Sequence, residues 1–237
     1  MSTPALLLIA HGSRDPRHAA TMNAIADRLR GVLSEVGVGY LDHHGPDVAT
    51  AALALGPRVR AVPMLLSHAF HHRVDVPGAV AKARARGVLI EVADPLGPDP
   101  RLLTVAADRL RAAGARPGPG TGLVLAYAGT TDSAAAAAVH GLAARWQRRS
   151  GAEVRVAHAA HDAPRLAEVV AELRADGARR VDVAPWFLAP GRLLDGVYAA
   201  AAAAGADAVA APLGDAPAVV EAVLGRFDAA ARTRPAA

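Results

Sequence analysis

LLLIAHGSRD, residues 6–15, returns as LVLAYAGTTD, residues 123–132, and that return decides the fold. Each stretch is an unbroken apolar run followed by a glycine, a hydroxyl residue and, two positions later, an aspartate. A short apolar run bounded by turn residues reads as a strand buried on both faces, and the glycine as the tight turn that leaves it. Further out, ADPLGP at 93–98 returns as AAPLGD at 210–215. Gly12 and Gly129 stand 117 positions apart, and so do Leu96 and Leu213. Two unrelated motif pairs that share one offset mark an internal duplication. VPMLL (62–66) and APWFL (184–188) form a third pair at an offset of 122, which requires a local insertion compensated later in the chain.

Within the first copy, strand-like apolar runs fall at Ala5–Ala10, Val38–Leu41, Val59–Leu66 and Val88–Val92. Helical spacing lies between them, as in Met22, Ile25, Leu29 and Val32/Leu33. The order βαβαβαβα then restarts after GARPGPGTG, residues 114–122, whose Pro and Gly content reads as a linker. The expectation is an α/β protein of two similar domains, 1–116 and 117–237, each a parallel β-sheet flanked by helices. In such sheets ligands bind beyond the carboxyl ends of the strands.

Composition narrows the function. The chain has 237 residues, 52% of them hydrophobic, so it can bury a sizeable core. Aromatics are only 3%, which leaves Ala, Val and Leu to build that core. The net charge is +4 and Lys82 is the sole lysine, but there is no contiguous basic run and no aromatic residue interleaved with the arginines. Nucleic acid is therefore not an expected partner. With no cysteine, disulfides, thiolate metal sites and thiol catalysis all fall away, and His, Asp and Glu remain as ligands. The N-terminal apolar run is far below the ~18 residues of a membrane span and lacks a basic leader, so a cytoplasmic, non-membrane protein is expected. HGS at 11–13 is not a G-x-S-x-G elbow, and GPGTG at 118–122 lacks the lysine and the setting of a phosphate loop. No organic cofactor is expected.

The histidines are unevenly placed: seven of ten lie in residues 1–72. His11 follows the first strand directly. His68, His71 and His72 follow the third, and Asp75 and Pro77 then suit the N-cap and first turn of a helix. With strands one and three as neighbours, His11 and the His68–His72 loop face one cleft, where neutral imidazoles could hold a divalent transition metal with coordination positions left open. His43 and His44 also sit at a strand end. His18 and His140 fall on helical segments and read as solvated, while His158 and His161 read as caps or as lining an interdomain face. In the second copy Ala128 replaces His11, and Phe187–Val197 holds no histidine. The second domain is expected to serve as a wall, a lid or a packing partner, with both domains of a monomer facing a common cleft.

LLLIAHGSRDPR at the start, YLDHHGP at 40–46, VPMLLSHAFHHRVDVP at 62–77 and PLGPDP at 95–100 resemble the class II chelatases that insert a metal into sirohydrochlorin. The long form of that family is a tandem of two such domains. The resemblance implies that His11 binds the metal and accepts a pyrrole proton, and that His71, four residues before Asp75, is the other ligand. It also implies that Leu66, Ser67, His68, Ala69 and Phe70 line the tetrapyrrole site together with Gly45. Members of the family often carry an acid at this last position, and glycine removes that side-chain contact. Ala69 stands where a glycine is usual. The implied substrates are sirohydrochlorin and Fe2+ or Co2+, with Ni2+ a further candidate; the product is sirohaem with iron and a corrinoid precursor with cobalt. Two imidazoles hold an ion without the strength of a thiolate cage, and an ordinary pKa of ~6.5 suits a proton acceptor near neutrality. Arg14 and Arg73, each near a ligand histidine, are candidate partners for the substrate carboxylates. Two other readings of the same residues stay open: a non-catalytic metal carrier or tetrapyrrole-binding protein, and a metal-dependent hydrolase with Asp42 as its base.

Overall fold

The computed structural model describes residues 3–66, 75–160 and 164–232. The first sheet is built from β1 (Ala5–Ala10), β2 (Val36–Tyr40), β3 (Arg58–Pro63) and β4 (Leu89–Val92), all parallel, in the order β2-β1-β3-β4. The central strand β1 is buried along its whole length, as an unbroken apolar run requires when helices cover both faces of the sheet. The neighbourhood of strands one and three holds, with Leu6 opposite Arg60 and Leu8 opposite Val62. The second sheet repeats the plan with β5 (Thr121–Tyr127), β6 (Glu153–His158), β7 (Arg180–Pro185) and β8 (Ala208–Val209), in the order β6-β5-β7-β8, joined by α5 (Ser133–Ser150), α6 (Leu166–Ala175) and α7 (Arg192–Ala203).

Helices α1 (Pro16–Arg30), α2 (Val48–Leu55) and α3 (Val76–Ala85) join the strands of the first sheet. One face packs Leu7, Ile9, Val59 and Ala61 against Val48, Ala51 and Ala52 of α2 and Val76, Val80 and Ala83 of α3. The small residues of α2 let it approach closely: a Cβ on Gly39 of β2 would stand 2.9 Å from Val48 Cα. α1 turns Met22, Ile25 and Leu29 inward. Its helix stops at Arg30 with Gly31 as the cap, so Val32, expected to continue the stripe, is 66% exposed. β3 stops at Pro63 instead of reaching Leu66, although the Met64 amide still donates to Ile9 at 2.8 Å.

The repeats and the compact units are not the same. One unit comprises Met1–Asp99 with Asp215–Ala237, and the other Pro100–Gly214. The expected division at 116/117 is a boundary of sequence repeats, and the last helix of each repeat belongs to the unit built around the other repeat's sheet. α4 (Leu102–Ala112) packs on β7, and α8 (Pro217–Arg232) packs on β3 and α1. Arg60 of β3 is buried beneath α8; it donates to the Phe227 carbonyl at 2.9 Å, places its guanidinium 4.8 Å from the Phe227 ring and pairs with Glu91. Burying Val219, Val223 and Phe227 of α8 contributes roughly 1.5–3 kcal/mol each. The 114–122 segment read as a linker lies inside the second unit, where the Gly114 carbonyl accepts from Arg180 at 3.2 Å. No helix among the described residues is long and apolar enough to cross a membrane.

Candidate active site

His11 is the first residue after β1, at the carboxyl end of the central strand. Gly12 follows with φ +96°, and a Cβ there would lie 1.8 Å from the Asp42 carbonyl oxygen, so only glycine fits this turn. Ser13 Oγ accepts the Asp15 amide at 3.0 Å, and Asp15 caps α1 by accepting from Arg17. The Arg17 guanidinium and amide hold the Asp15 carboxyl down to about 2. The end of β2 is tied to the same place: the Leu41 amide donates to Ala10 and the Asp42 amide to His11, both at 2.9 Å.

This turn brings imidazoles together. His43 adopts a left-handed backbone with φ 59°, its amide donates to Asp42 Oδ1 at 2.7 Å, and its Nδ1 lies 3.4 Å from that same oxygen. The His11 and His43 rings meet edge to face with centroids 6.2 Å apart. His44 packs edge-on to Tyr40 at 4.6 Å, and His18, from the first turn of α1, lies 6.4 Å from the same ring. His18 is half-buried, against the expectation of a solvated residue, and its Nδ1 has no hydrogen-bond partner among the described residues. Burial first, and then the fields of His11 and His44, hold its imidazole below the usual 6.5.

Beside His11 opens a cavity of about 370 Å³, lined by Leu41 and Asp42 from the β2 end and by Asp75, Gly78, Ala79 and Lys82. The last four positions are spaced i, i+3, i+4, i+7, one face of α3 and its approach. Asp75 precedes α3 as expected but makes no capping hydrogen bond through its side chain; it contributes to the cavity wall. Among the described residues, no group of three or more His, Cys, Asp or Glu is placed to hold one ion.

The second unit keeps the scaffold without the imidazole. Gly129 has φ +91°, Thr130 Oγ1 accepts the Asp132 amide at 3.1 Å, and the Ala160 amide donates to Ala128 at 3.0 Å, matching the bond from Asp42 to His11. Its cavity of about 330 Å³ is walled largely by alanines and His158, whose Nε2 lies 3.2 Å from the Tyr127 hydroxyl. The repeated backbone is matched by a known family: the CbiX family aligns with residues 5–113 and again with 122–230. The chain belongs to the CbiX family.

Short curated relatives include the sirohydrochlorin cobaltochelatases of Sulfurisphaera tokodaii and Methanothermobacter thermautotrophicus. The first is 27% identical over 109 residues, spanning 44% of this chain and 89% of the relative. The second is 28% identical over 130 residues, spanning 46% of this chain and 91% of the relative. Solved structures resemble nearly the whole chain. SirB from Bacillus subtilis with Fe3+ has a TM-score of 0.83 at 24% identity over 97% of this chain and 96% of its own. SirB from Bacillus subtilis subspecies spizizenii in complex with cobalt has 0.80 at 22% over 98% and 96%. At these identities the likeness establishes a common fold.

Of the site residues expected in this CbiX chain, His11 stands at the cavity and Leu66 is half-buried at the end of the β3 segment, close enough that a Cβ on Gly97 would meet its carbonyl at 2.8 Å. Gly45 is exposed, with nothing within 4 Å of where a Cβ would stand. Ser67, His68, Ala69, Phe70, His71, His72 and Arg73 lie outside the described residues, as does His161. Arg14 is exposed. Sequence reasoning missed Lys82 and the wall position of Asp75, although the i, i+3, i+4, i+7 spacing from Asp75 to Lys82 was the signal that would have found them. It also left His43 without a role.

Proposed function

We propose that this chain is a sirohydrochlorin chelatase of the cytoplasm that takes Fe2+ or Co2+ as its metal substrate. His11 beside the strand-end cavity is the observation that supports this most directly, and the sirohydrochlorin cobaltochelatases among its relatives supply the substrate class. In this reading His11 and His71 grip the ion and Leu66–Phe70 bear on the tetrapyrrole, with Gly45 at the rim. A two-imidazole grip leaves the remaining coordination positions to water and to the macrocycle nitrogens, so the ion can leave for the stronger four-nitrogen ligand. Insertion displaces two pyrrole protons; His11 accepts one as the ion departs, because an imidazole that has released its metal regains its basic lone pair, and the other passes to water. Lys82, in the cavity wall, is a counter-charge for the substrate's carboxylates.

The test is anaerobic incubation of the pure protein with sirohydrochlorin and Fe2+, Co2+ or Ni2+, following the shift in tetrapyrrole absorbance. The initial rates rank the three metals. His71→Ala is expected to abolish most insertion and His72→Ala to leave most of it, since the family resemblance assigns the ligand to His71, four residues before Asp75. A metal-binding protein that never changes the tetrapyrrole spectrum would be a carrier, and the reverse ranking of the two variants would move the ligand by one position.

A further inference from the structure

We infer that His43 is a further metal-holding residue of the first unit, which takes a divalent transition-metal ion together with His11. The inference rests on the reading of the His11 cavity as a metal-handling site and adds a residue that this reading does not contain. Two imidazoles bound to one ion through nitrogens at about 2.1 Å keep their ring centroids roughly 5–6.5 Å apart, depending on the N–metal–N angle. His11 and His43 are already 6.2 Å apart, at the wide end of that range. The His43 side chain is 41% exposed, so rotation toward His11 meets little packing resistance.

The backbone around His43 is built to hold that pose. A left-handed residue other than glycine carries a conformational cost, and φ 59° at His43 is the one such case among the described residues. Asp42 offsets that cost: its own amide is fixed to the His11 carbonyl, and its carboxylate accepts the His43 amide. The same carboxylate oxygen lies 3.4 Å from His43 Nδ1. An acid facing one ring nitrogen is an arrangement that favours the tautomer whose other nitrogen is open to a metal. Asp42 is thus the orienting partner and His43 Nε2 the donor. His44 next door has turned away, edge-on to Tyr40 at 4.6 Å, and supplies a built-in control. The rival account is that His43 is only a turn former, since histidine is among the residues that tolerate this backbone region. Asparagine tolerates it equally and has no imidazole, which separates the two accounts.

The experiment is calorimetric titration of the metal-free full chain with Co2+, with the visible d–d absorption recorded in parallel, on wild type, His43→Asn and His44→Asn. Thermal melts check that all three are folded. His43→Asn is expected to raise the Kd for Co2+ tenfold or more and to weaken the absorption, while His44→Asn stays within twofold of wild type. A Kd for His43→Asn within twofold of wild type overturns the inference, as does a wild type that binds no Co2+. Sirohydrochlorin assays on the same preparations keep the two readings apart. If wild type binds Co2+ through His43 but never metallates the tetrapyrrole, the metal pair stands and the chelatase reading falls. If metallation is normal in both variants and His43→Asn binds like wild type, the pair falls and the chelatase reading stands.

Discussion

The amide of Asp42 donates to the carbonyl of His11 at 2.9 Å, one step beyond the last register pair of β1 and β2, Ala10 with Tyr40. Parallel strands end where their chains diverge, and this bond delays the divergence by one residue on each side. The histidine that leaves the central strand and the loop that leaves its neighbour are thereby tied together, and the residue between them and the next helix has no room for a side chain.

Gly12→Ala therefore places a methyl group where the Asp42 carbonyl oxygen stands and asks alanine for a φ of +96°. The expected loss is about 3 kcal/mol or more, from steric overlap and backbone strain together. Urea unfolding monitored by circular dichroism checks it. A loss below about 1 kcal/mol would mean that the β2 loop moves aside easily, and the shared frame of His11 and Asp42 would be looser than described.

Arg60 joins α8 to the first sheet through the Phe227 carbonyl and ring while pairing with Glu91. Its side chain is only 9% exposed and that of Glu91 is 33% exposed. Arg60→Ala strips a buried ion-pair partner and a hydrogen-bond donor at once, for an expected loss of about 2–4 kcal/mol. The melting temperature drops accordingly, and amides of α8 exchange faster than those of α3. Uniform exchange rates across the unit would contradict the tethering role.

His18 carries a pH dependence whose sign follows from its depressed basicity. Burial and the neighbouring imidazoles lower its folded-state pKa below 6.5. The unfolded chain then binds more protons than the folded one between the lowered value and 6.5, so stability rises with pH through that window. The expected outcome is a steeper gain in unfolding free energy as pH rises toward 6.5 for wild type than for His18→Gln. Parallel curves would show an imidazole that is solvated after all.

Lys82 lines the His11 cavity as the chain's sole lysine and a long-reaching cation. If it meets substrate carboxylates from the exposed face of α3, Lys82→Ala raises the KM for the tetrapyrrole several-fold, leaves kcat nearly unchanged, and flattens the salt dependence of kcat/KM. An effect on kcat alone would put the lysine at the proton transfer instead.

Local pattern carried much of this architecture. The apolar run of Leu6–Ala10, the helical spacing of Met22, Ile25 and Leu29, and the shared offset of the HGS/AGT and PLG pairs were enough to read two parallel α/β repeats, and the histidine count to expect the chemistry in the first. His11 was legible because a strand end followed by glycine has one outcome in such a sheet. What the chain could not show locally is which surface covers which. Leu102, Leu103 and Leu110 of α4 and Val219, Val223 and Phe227 of α8 offer similar apolar stripes to two near-equivalent sheets. Periodicity states that a face will be buried and is silent on its partner, so the exchange of α4 and α8 emerged only from the assembled chain. The same holds for the pose of His43, whose left-handed turn depends on an Asp42 carboxylate placed by a hydrogen bond to a different strand. Sequence determined the parts and their asymmetry, because those follow from side-chain periodicity and residue chemistry. Tertiary structure decided the pairings, because a pairing depends on the shape and polarity of residues far away in the chain.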